Sequence, residues 1–204
     1  MKSFMARPRE FDEDEALDRA LEVFWARGYD ATSIEDLVTE TGLGRASLYG
    51  AFGDKAGLFR RVMDRYLARD HEQVVAATRG LTGEAAVRAF FSQRIAKFCP
   101  KEGSRGCFLQ VSGASGSGAD IVERAGIDAM RDVRAWLLGE LKVAAAAQAL
   151  APDADLPALA DLLLVLHNGL SASARGGISA KGLKAAAEEG LDRIFVRTAA
   201  PHLG

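Results

Sequence analysis

Apolar residues recur at helical spacing along most of the chain, and this pattern predicts an all-α protein. The first amphipathic stripe, spaced i, i+3, i+4, i+7 and i+8, consists of Leu17, Ala20, Leu21, Phe24 and Trp25. Acidic residues at 12–15 favour the start of this helix, and Gly28 is a candidate for its left-handed end. A capping box with Thr32 or Ser33 as the cap and Glu35 as its acidic member then predicts a second helix.

Two further helices complete the first part of the chain. The second helix is expected to end at Gly42, a short third helix to run from about Arg45 to Phe52, and a long fourth helix from Lys55 to about Thr78. A short helix, a tight turn and another short helix, with a longer helix on each side, predict a compact head. We therefore assign residues 1–54 to a head domain and treat the helix over 55–78 as a connector.

The rest of the chain, residues 79–204, is predicted to form a second helical domain. Helices are expected over about 83–98, 119–150, 156–174 and 181–199, with a short apolar segment at 107–111 and a Gly/Ser-rich corner at 112–118. The whole chain would then contain about nine helices.

The chain carries a net charge of −2, so the protein as a whole is not a cationic nucleic-acid binder. Any argument for nucleic-acid binding must therefore come from the local distribution of charge. Residues 42–69 contain six basic and two acidic side chains, and residues 1–9 contain three basic and none that is acidic. Residues 10–30 contain eight acidic and two basic side chains, so charge is segregated along the sequence. Any contact with nucleic acid is therefore expected at the basic part of the head.

Residues 32–58 fit a helix-turn-helix, the element that places its second helix in the major groove of DNA. A turn at 42–44 lets the two helices meet steeply, and the second helix begins with small side chains and hydrogen-bond donors. This composition suits the end of a helix that enters a groove about 12 Å wide.

The head resembles a known family. FDEDEALDRALEVFWARGYDATSIEDLV followed by SLYGAFGDKAGLF is similar to the N-terminal signature of TetR/AcrR repressors, over residues 9–66. RGCFLQ at 105–110 and GLSASARGG at 169–177 resemble segments of one subgroup. The resemblance implies a repressor that binds a palindromic DNA operator as a homodimer and is released by a small-molecule effector.

That resemblance also implies the DNA-binding residues. Base edges would be contacted by Arg45, Ala46, Ser47 and Gly50 beside Gly44, and phosphates by Thr32, Ser33, Tyr49 and Lys55. For Tyr49 we favour a phosphate contact over a simple packed ring, because its phase is opposite that of Leu48 and Phe52. The arginines at 60, 61 and 65 are more consistent with a solvated face than with DNA contact.

Apolar residues on more than one face of the last two helices predict a homodimer. The candidate interface comprises Leu159, Leu163, Leu166, Leu170, Leu191, Ile194 and Phe195. The same resemblance implies that the effector lies among the fifth to eighth predicted helices, and its candidate lining comprises Phe90, Phe91, Phe98, Cys107, Phe108, Met130, Trp136 and His167. This set favours a small hydrophobic or aromatic compound. His167 and Asn168 could equally form a satisfied core pair or a ligand contact, and Cys107 fits a buried structural cysteine better than a thiol sensor.

Other classes of protein fit the sequence less well. No combination of nucleophile, base and orienting residue indicates an enzyme, and no cofactor or metal is expected. The chain has two cysteines, and no signal-peptide pattern is evident in its sequence. Its apolar segment at 156–170 is interrupted by polar residues and is too short to span a bilayer. We therefore expect a cytoplasmic protein without a membrane partner. The alternative hypothesis is a helical adaptor that uses the head for protein contacts. Salt-dependent binding to a palindromic duplex would distinguish the two.

Overall fold

The computed structural model describes residues 11–100, 106–109 and 119–195, and this part of the chain contains eight helices and no strand. The helices are α1 (Glu13–Arg27), α2 (Ile34–Thr41), α3 (Arg45–Phe52), α4 (Lys55–Thr78), α5 (Gly83–Phe98), α6 (Ala119–Ala146), α7 (Leu156–Arg175) and α8 (Ala180–Ile194). The predicted all-α class is confirmed. Phe108 and Leu109 are also helical, at the place of the ninth predicted element. The basic arm at 1–9 and the corner at 112–118 lie outside the described residues.

The first helices begin and end at local signals in the sequence. The side chain of Asp12 accepts hydrogen bonds from the backbone N–H groups of Asp14 and Glu15, and Gly28 ends α1 with φ +77°. At α2 the capping box joins Ser33 to Asp36, so the predicted role of Glu35 is wrong by one position. The reason is that Thr32 is buried and its hydroxyl donates to the carbonyl of Gly28, 2.6 Å away, which leaves Ser33 as the cap.

Aromatic and leucine side chains close the core of the first unit. Phe24 packs edge-on against Phe59 with ring centroids 4.9 Å apart, and Leu37, Leu48 and Leu58 are fully buried. The passage from α3 to α4 is tight, because a Cβ atom on Gly57 would lie 2.0 Å from the carbonyl oxygen of Phe52. Glycine is therefore required there to set the position of α3 on the rest of the unit.

The described residues divide into two compact units, and the division falls within α4. One unit contains residues 11–68 with 119–122, and the other contains residues 69–100, 106–109 and 123–195. Helix α4 therefore contributes to both. In the second unit, α5, α7 and α8 pack against one another around a core rich in phenylalanine and leucine.

Two helices of the second unit end earlier than the sequence predicts. Helix α6 stops at Ala146 and not at Leu150, because Gln148 takes up a left-handed conformation with φ +58°. The N–H groups of Gln148 and Ala149 donate to the carbonyls of Ala145 and Ala144, which satisfies the last turn. Helix α8 ends at Ile194 and not near residue 199, because Phe195 has extended backbone angles.

Candidate functional site

One face of α3 is exposed, and it carries most of the residues predicted to bind DNA. Leu48 and Phe52 are buried, whereas Tyr49 is 39% exposed. The other exposed members of the predicted set are Ser33, Gly44, Arg45, Ala46, Ser47 and Gly50. The helical period therefore separates a buried anchor from a solvent-facing surface, which we name the α3 face (residues 44–47, 49 and 50).

The N-terminus of α3 differs from those of its neighbours. Gly44 caps it without a side-chain hydrogen bond, and its first turn has no acidic residue. By contrast, the carboxylate of Asp36 occupies the start of α2, and the carboxylate of Asp54 accepts a hydrogen bond from the N–H of Gly57 in the first turn of α4. The N–H groups at the start of α3 are thus available to an anion, and the helix dipole favours one there.

Arg45, the candidate reader of bases, makes an ion pair with Glu35 of α2. Both side chains are more than half exposed, at 58% and 68%. An exposed pair of this kind contributes about 1 kcal/mol or less to stability. It therefore orients the guanidinium but can be broken easily when another partner binds.

Lys55 and Thr32 are occupied inside the head. The ammonium of Lys55 donates to the carbonyl of Thr32 at 2.6 Å and lies 4.4 Å from the centroid of the Tyr29 ring. Burial lowers the pKa of Lys55, against the opposing effect of Asp30. The Thr32 hydroxyl points inward in this structure, and the phosphate contact of this residue stays a prediction. Lys55 joins the starts of α2 and α4 and retains two further ammonium donors.

Among the basic residues of α4, Arg60 and Arg61 are exposed, as the sequence indicated, whereas Arg65 is mostly buried. Arg65 is 18% exposed and pairs with Asp14 at 2.6 Å and Asp18 at 2.8 Å, and Arg61 pairs with Glu13. Acidic residues of α1 thus neutralise basic residues of α4 within the same unit. The acidic and basic stretches of the sequence therefore pair in part within this unit, and Arg45 and Arg60 stay exposed.

The second unit brings together part of the predicted effector set. Phe90 lies at the centre, with ring centroids 5.2 Å from Trp136, 5.6 Å from His167 and 5.4 Å from Phe91. The ring centroid of Phe98 is 5.5 Å from that of His167. Phe108 and Cys107 are buried, and the N–H of Cys107 donates to the hydroxyl of Ser171; Met130 and Trp136 are half-buried.

A cleft of about 80 Å³ lies elsewhere in this unit, between α5 and α8, and only Phe91 of the predicted set borders it. The aromatic set is therefore a packed cluster and not the lining of that cleft.

His167 is the unusual member of this cluster. Its side chain is buried, and its ring contacts those of Phe90 and Phe98. Burial lowers the pKa of His167 to about 4, with help from Arg94 and Lys97 and against Asp70 and a side-chain hydrogen bond with Asn168. The imidazole is consequently neutral at physiological pH. The two interpretations that the sequence left open, a core pair of His167 with Asn168 and a ligand contact, both stay predictions.

Sequence analysis missed a charged cluster beside these aromatic rings. The guanidinium of Arg94 on α5 forms two hydrogen bonds with the carboxylate of Asp70 on α4, at 2.7 and 2.8 Å, and Lys97 contacts the same carboxylate. Arg94 is only 4% exposed. The available signal was its spacing, four residues after Phe90 and four before Phe98, which places a cation within a buried stripe.

Four of the seven residues predicted for the dimer interface belong to the core of the protomer. Leu163, Leu170, Leu191 and Phe195 are buried, and Leu159, Leu166 and Ile194 are half-buried. The outward apolar residues of α7 are instead Leu162 and Val165, which are 50% and 67% exposed. Length and composition alone would permit α7 to cross a membrane, yet it packs against α5 and α8.

Comparison with known proteins gives consistent results. A family model described as bacterial regulatory proteins, tetR family, matches residues 16–62. The HTH-type transcriptional repressor ComR of Escherichia coli (strain K12) is 34% identical over 192 residues, covering 90% of this chain and 89% of ComR. The repressor BdcR of the same organism is 41% identical over 64 residues, 31% of this chain and 32% of BdcR.

Solved structures agree with the sequence relatives. A cysteine mutant of the TetR family regulator CifR, complexed with a 26-base-pair double-strand operator DNA, superposes with a TM-score of 0.81 at 29% identity. It covers 93% of this chain and 100% of that one. The reduced form of NemR from E. coli has the same fold, with a TM-score of 0.78 at 18% identity over 92% of this chain and 98% of that one.

Proposed function

Because the chain belongs to the tetR family of bacterial regulatory proteins, we propose that it represses transcription as a homodimer on a palindromic operator and is released by a small-molecule effector. Family membership makes it a DNA-binding transcriptional regulator with a helix-turn-helix head. The palindromic operator, the homodimer and the small-molecule effector are our proposal.

The α3 face is the observation that carries the proposal. Ala46, Ser47 and Gly50 are small and exposed, so the backbone of α3 can approach the floor of a major groove. The uncapped N-terminus of α3 supplies N–H groups for a phosphate, and the half-exposed hydroxyl of Tyr49 extends from the same surface. Buried Leu48 and Phe52 fix which side of the helix faces outward.

Arg45 is the residue that we assign to base recognition. A guanidinium can make two hydrogen bonds with guanine, and such a contact contributes about 1–3 kcal/mol of discrimination. The competing ion pair with Glu35 is exposed and contributes about 1 kcal/mol or less. Exchange of Glu35 for guanine is therefore favourable, and Glu35 holds the arginine at the start of α3 until DNA arrives.

For the dimer we propose a two-fold contact through the outward face of α7. Leu162 and Val165 are exposed there, and Leu166 is half-buried against α8, with its Cδ2 3.5 Å from where a Cβ on Gly190 would lie. An isologous pairing of this face with its copy would cover apolar surface that the protomer leaves open. Two heads would then bind two half-sites.

The experiment that tests this function is a selection of genomic fragments with the purified protein, followed by titration of the selected duplex at several salt concentrations. We expect a palindromic sequence, a stoichiometry of two chains per site, and affinity that falls steeply as salt rises. Binding that is absent, or equal for scrambled DNA, would favour the helical adaptor.

A further inference from the structure

Lys55 carries its positive charge at a place that disfavours it. It is the first residue of α4, whose first turn contains no acidic residue, and the helix dipole opposes a cation at that end. Burial also lowers the pKa of Lys55, although the charge of Asp30 acts in the opposite direction. A half-buried ammonium at this end of a helix therefore needs contacts that favour its charged form.

The ring of Tyr29 supplies one of these contacts. The Nζ atom of Lys55 lies 4.4 Å from the ring centroid, within the distance at which an aromatic face attracts a cation. The same ammonium donates to the carbonyl of Thr32 at 2.6 Å. Because the N–H of Thr32 donates to the carbonyl of Tyr29 at 3.3 Å, the ring and the accepting carbonyl belong to one turn between α1 and α2.

The Tyr29 ring is itself held in place by the core of the head. It is 8% exposed and stacks on Phe24, with ring centroids 6.1 Å apart and an angle of 13° between the rings. It also packs against Phe59, at 4.8 Å and 59°. Close packing of this kind leaves the ring little freedom to turn away from Lys55. Tyr29 is therefore a fixed support for the ammonium.

A ring and a carbonyl differ from a carboxylate in what they leave to the cation. Arg61 and Arg65 pair with acidic side chains of α1, which offset their charge. The Tyr29 ring and the Thr32 carbonyl attract the Lys55 ammonium without carrying a net charge of their own. Such contacts fix the position of Lys55 and leave its positive charge for an anion.

We propose that Tyr29 is a positioning residue for DNA binding, which holds the Lys55 ammonium at the starts of α2 and α4 so that it binds a phosphate of the DNA backbone. The inference rests on the proposed function and on the phosphate contact predicted for Lys55. An ammonium that is fixed before DNA arrives loses less side-chain entropy on binding than a free lysine does. A phosphate contact carries no base information, so it strengthens binding to any sequence.

The first test asks whether Lys55 binds a phosphate. Lys55→Gln keeps a side-chain donor but removes the charge, and DNA affinity is measured at several salt concentrations for the selected operator and for a scrambled duplex. We expect the slope of log affinity against log salt to fall by about one on both duplexes. Lys184→Gln, which removes an exposed lysine of the second unit, is the control and should leave the slope unchanged. An unchanged slope for Lys55→Gln would overturn the proposal.

The second test measures the coupling between Tyr29 and Lys55. Tyr29→Leu removes the aromatic face, and we expect it to weaken DNA binding about two- to fivefold more in the parent protein than in the Lys55→Gln variant. Phe24→Leu is the matched control, because it removes a neighbouring ring of the same cluster and should have equal effects in the two backgrounds. Equal weakening by Tyr29→Leu in both backgrounds would indicate a purely structural role and overturn the proposal.

A third measurement decides the question where Tyr29→Leu fails to fold. Phenylalanine and its mono-, di- and trifluorinated forms are introduced at position 29, because fluorine withdraws electron density from the ring face with little change of shape. Relative to Tyr29→Phe, DNA affinity should fall stepwise with each fluorine, to about two- to fivefold in the trifluorinated form. Equal affinities across the series would contradict the proposal.

The two duplexes separate this inference from the proposed function. If the parent protein binds the scrambled duplex as tightly as the selected one, the specific operator of the proposed function fails, yet coupling of Tyr29 to Lys55 on either duplex supports the inference. If the parent prefers the operator and the two residues are uncoupled, the inference fails and the proposed function stands. Absence of DNA binding by the parent would overturn both.

Discussion

The two units of this protein use charge in opposite ways. In the head, the core is apolar and aromatic, and the pairs Arg45–Glu35 and Arg61–Glu13 lie at the surface. In the second unit, Arg94 is almost completely buried with Asp70, and the buried imidazole of His167 has a lowered pKa to which Arg94 contributes. Surface pairs are easily exchanged for phosphates and bases, whereas a buried pair changes only when something enters or the packing moves. The exposed pairs suit a head that contacts DNA, and the proposed effector would act on the second unit.

Removal of the buried cation should have the largest effect. Arg94→Met leaves Asp70 buried with Lys97 as its remaining partner, and we expect a loss of about 3 kcal/mol in the free energy of unfolding. Arg61→Met in the head is the matched variant, because its pair is half-exposed and should contribute about 1 kcal/mol or less. Urea denaturation followed by circular dichroism measures both. Equal losses would remove the distinction between the two units.

His167 should make the stability of the second unit depend on pH. Its pKa is lowered to about 4 in the folded protein from an ordinary value of 6.5, so the unfolded chain binds a proton more readily between these values. Stability should therefore be constant above about pH 6.5 and fall by up to about 3 kcal/mol as the pH approaches 4.

The variant His167→Leu should reduce this pH dependence, because the buried group that takes up the proton on unfolding has been removed. His71→Leu is the control, since His71 is exposed on α4. A pH profile of His167→Leu identical to that of the parent would contradict the buried neutral imidazole.

Gly57→Ala tests the packing that positions α3. The new methyl group would overlap the carbonyl of Phe52, and we expect a loss of about 1–3 kcal/mol with weaker operator binding. Gly50→Ala, which meets nothing within 4 Å, should leave stability unchanged or slightly increased. The midpoint of thermal unfolding gives the comparison, and a neutral Gly57→Ala would mean that α3 has room to shift.

Glu35→Gln should have the smallest effect and the opposite sign. In the parent protein Arg45 must break its ion pair with Glu35 before it can contact DNA. The variant has no such pair to break, so its operator affinity should rise by about fivefold or less. Glu40→Gln, on the same helix and without an ion pair to Arg45, serves as the control for the removed negative charge. Fluorescence anisotropy at constant salt measures the change, and a decrease would show that Glu35 itself supports DNA binding.

The head could be predicted from the sequence because its signals are local. Gly42, Gly44 and Gly53 punctuate short helices, and the spacing of Leu48 and Phe52 identifies the outward face of α3. The sequence left Thr32 and Ser33 both open as the cap of α2, since spacing alone does not decide which of two adjacent hydroxyl groups takes that place.

The second unit was less predictable because its site is formed by distant segments. Asp70 and Arg94 are 24 positions apart, and nothing near either residue indicates the other. Helical periodicity also does not reveal which apolar face is covered by the same chain, so Phe195 was placed at an interface although it is buried in the protomer.

The most direct test of the central claim is base discrimination by the Arg45→Ala variant. Affinities for the selected operator and for a scrambled duplex are measured side by side at one salt concentration, with Arg131→Ala as a control that removes an exposed, paired arginine from the second unit. We predict that Arg45→Ala lowers the ratio of the two affinities by the equivalent of about 1–3 kcal/mol, whereas Arg131→Ala leaves it unchanged. A ratio for Arg45→Ala equal to that of the parent protein would contradict the assignment of the α3 face as the surface that recognises the operator.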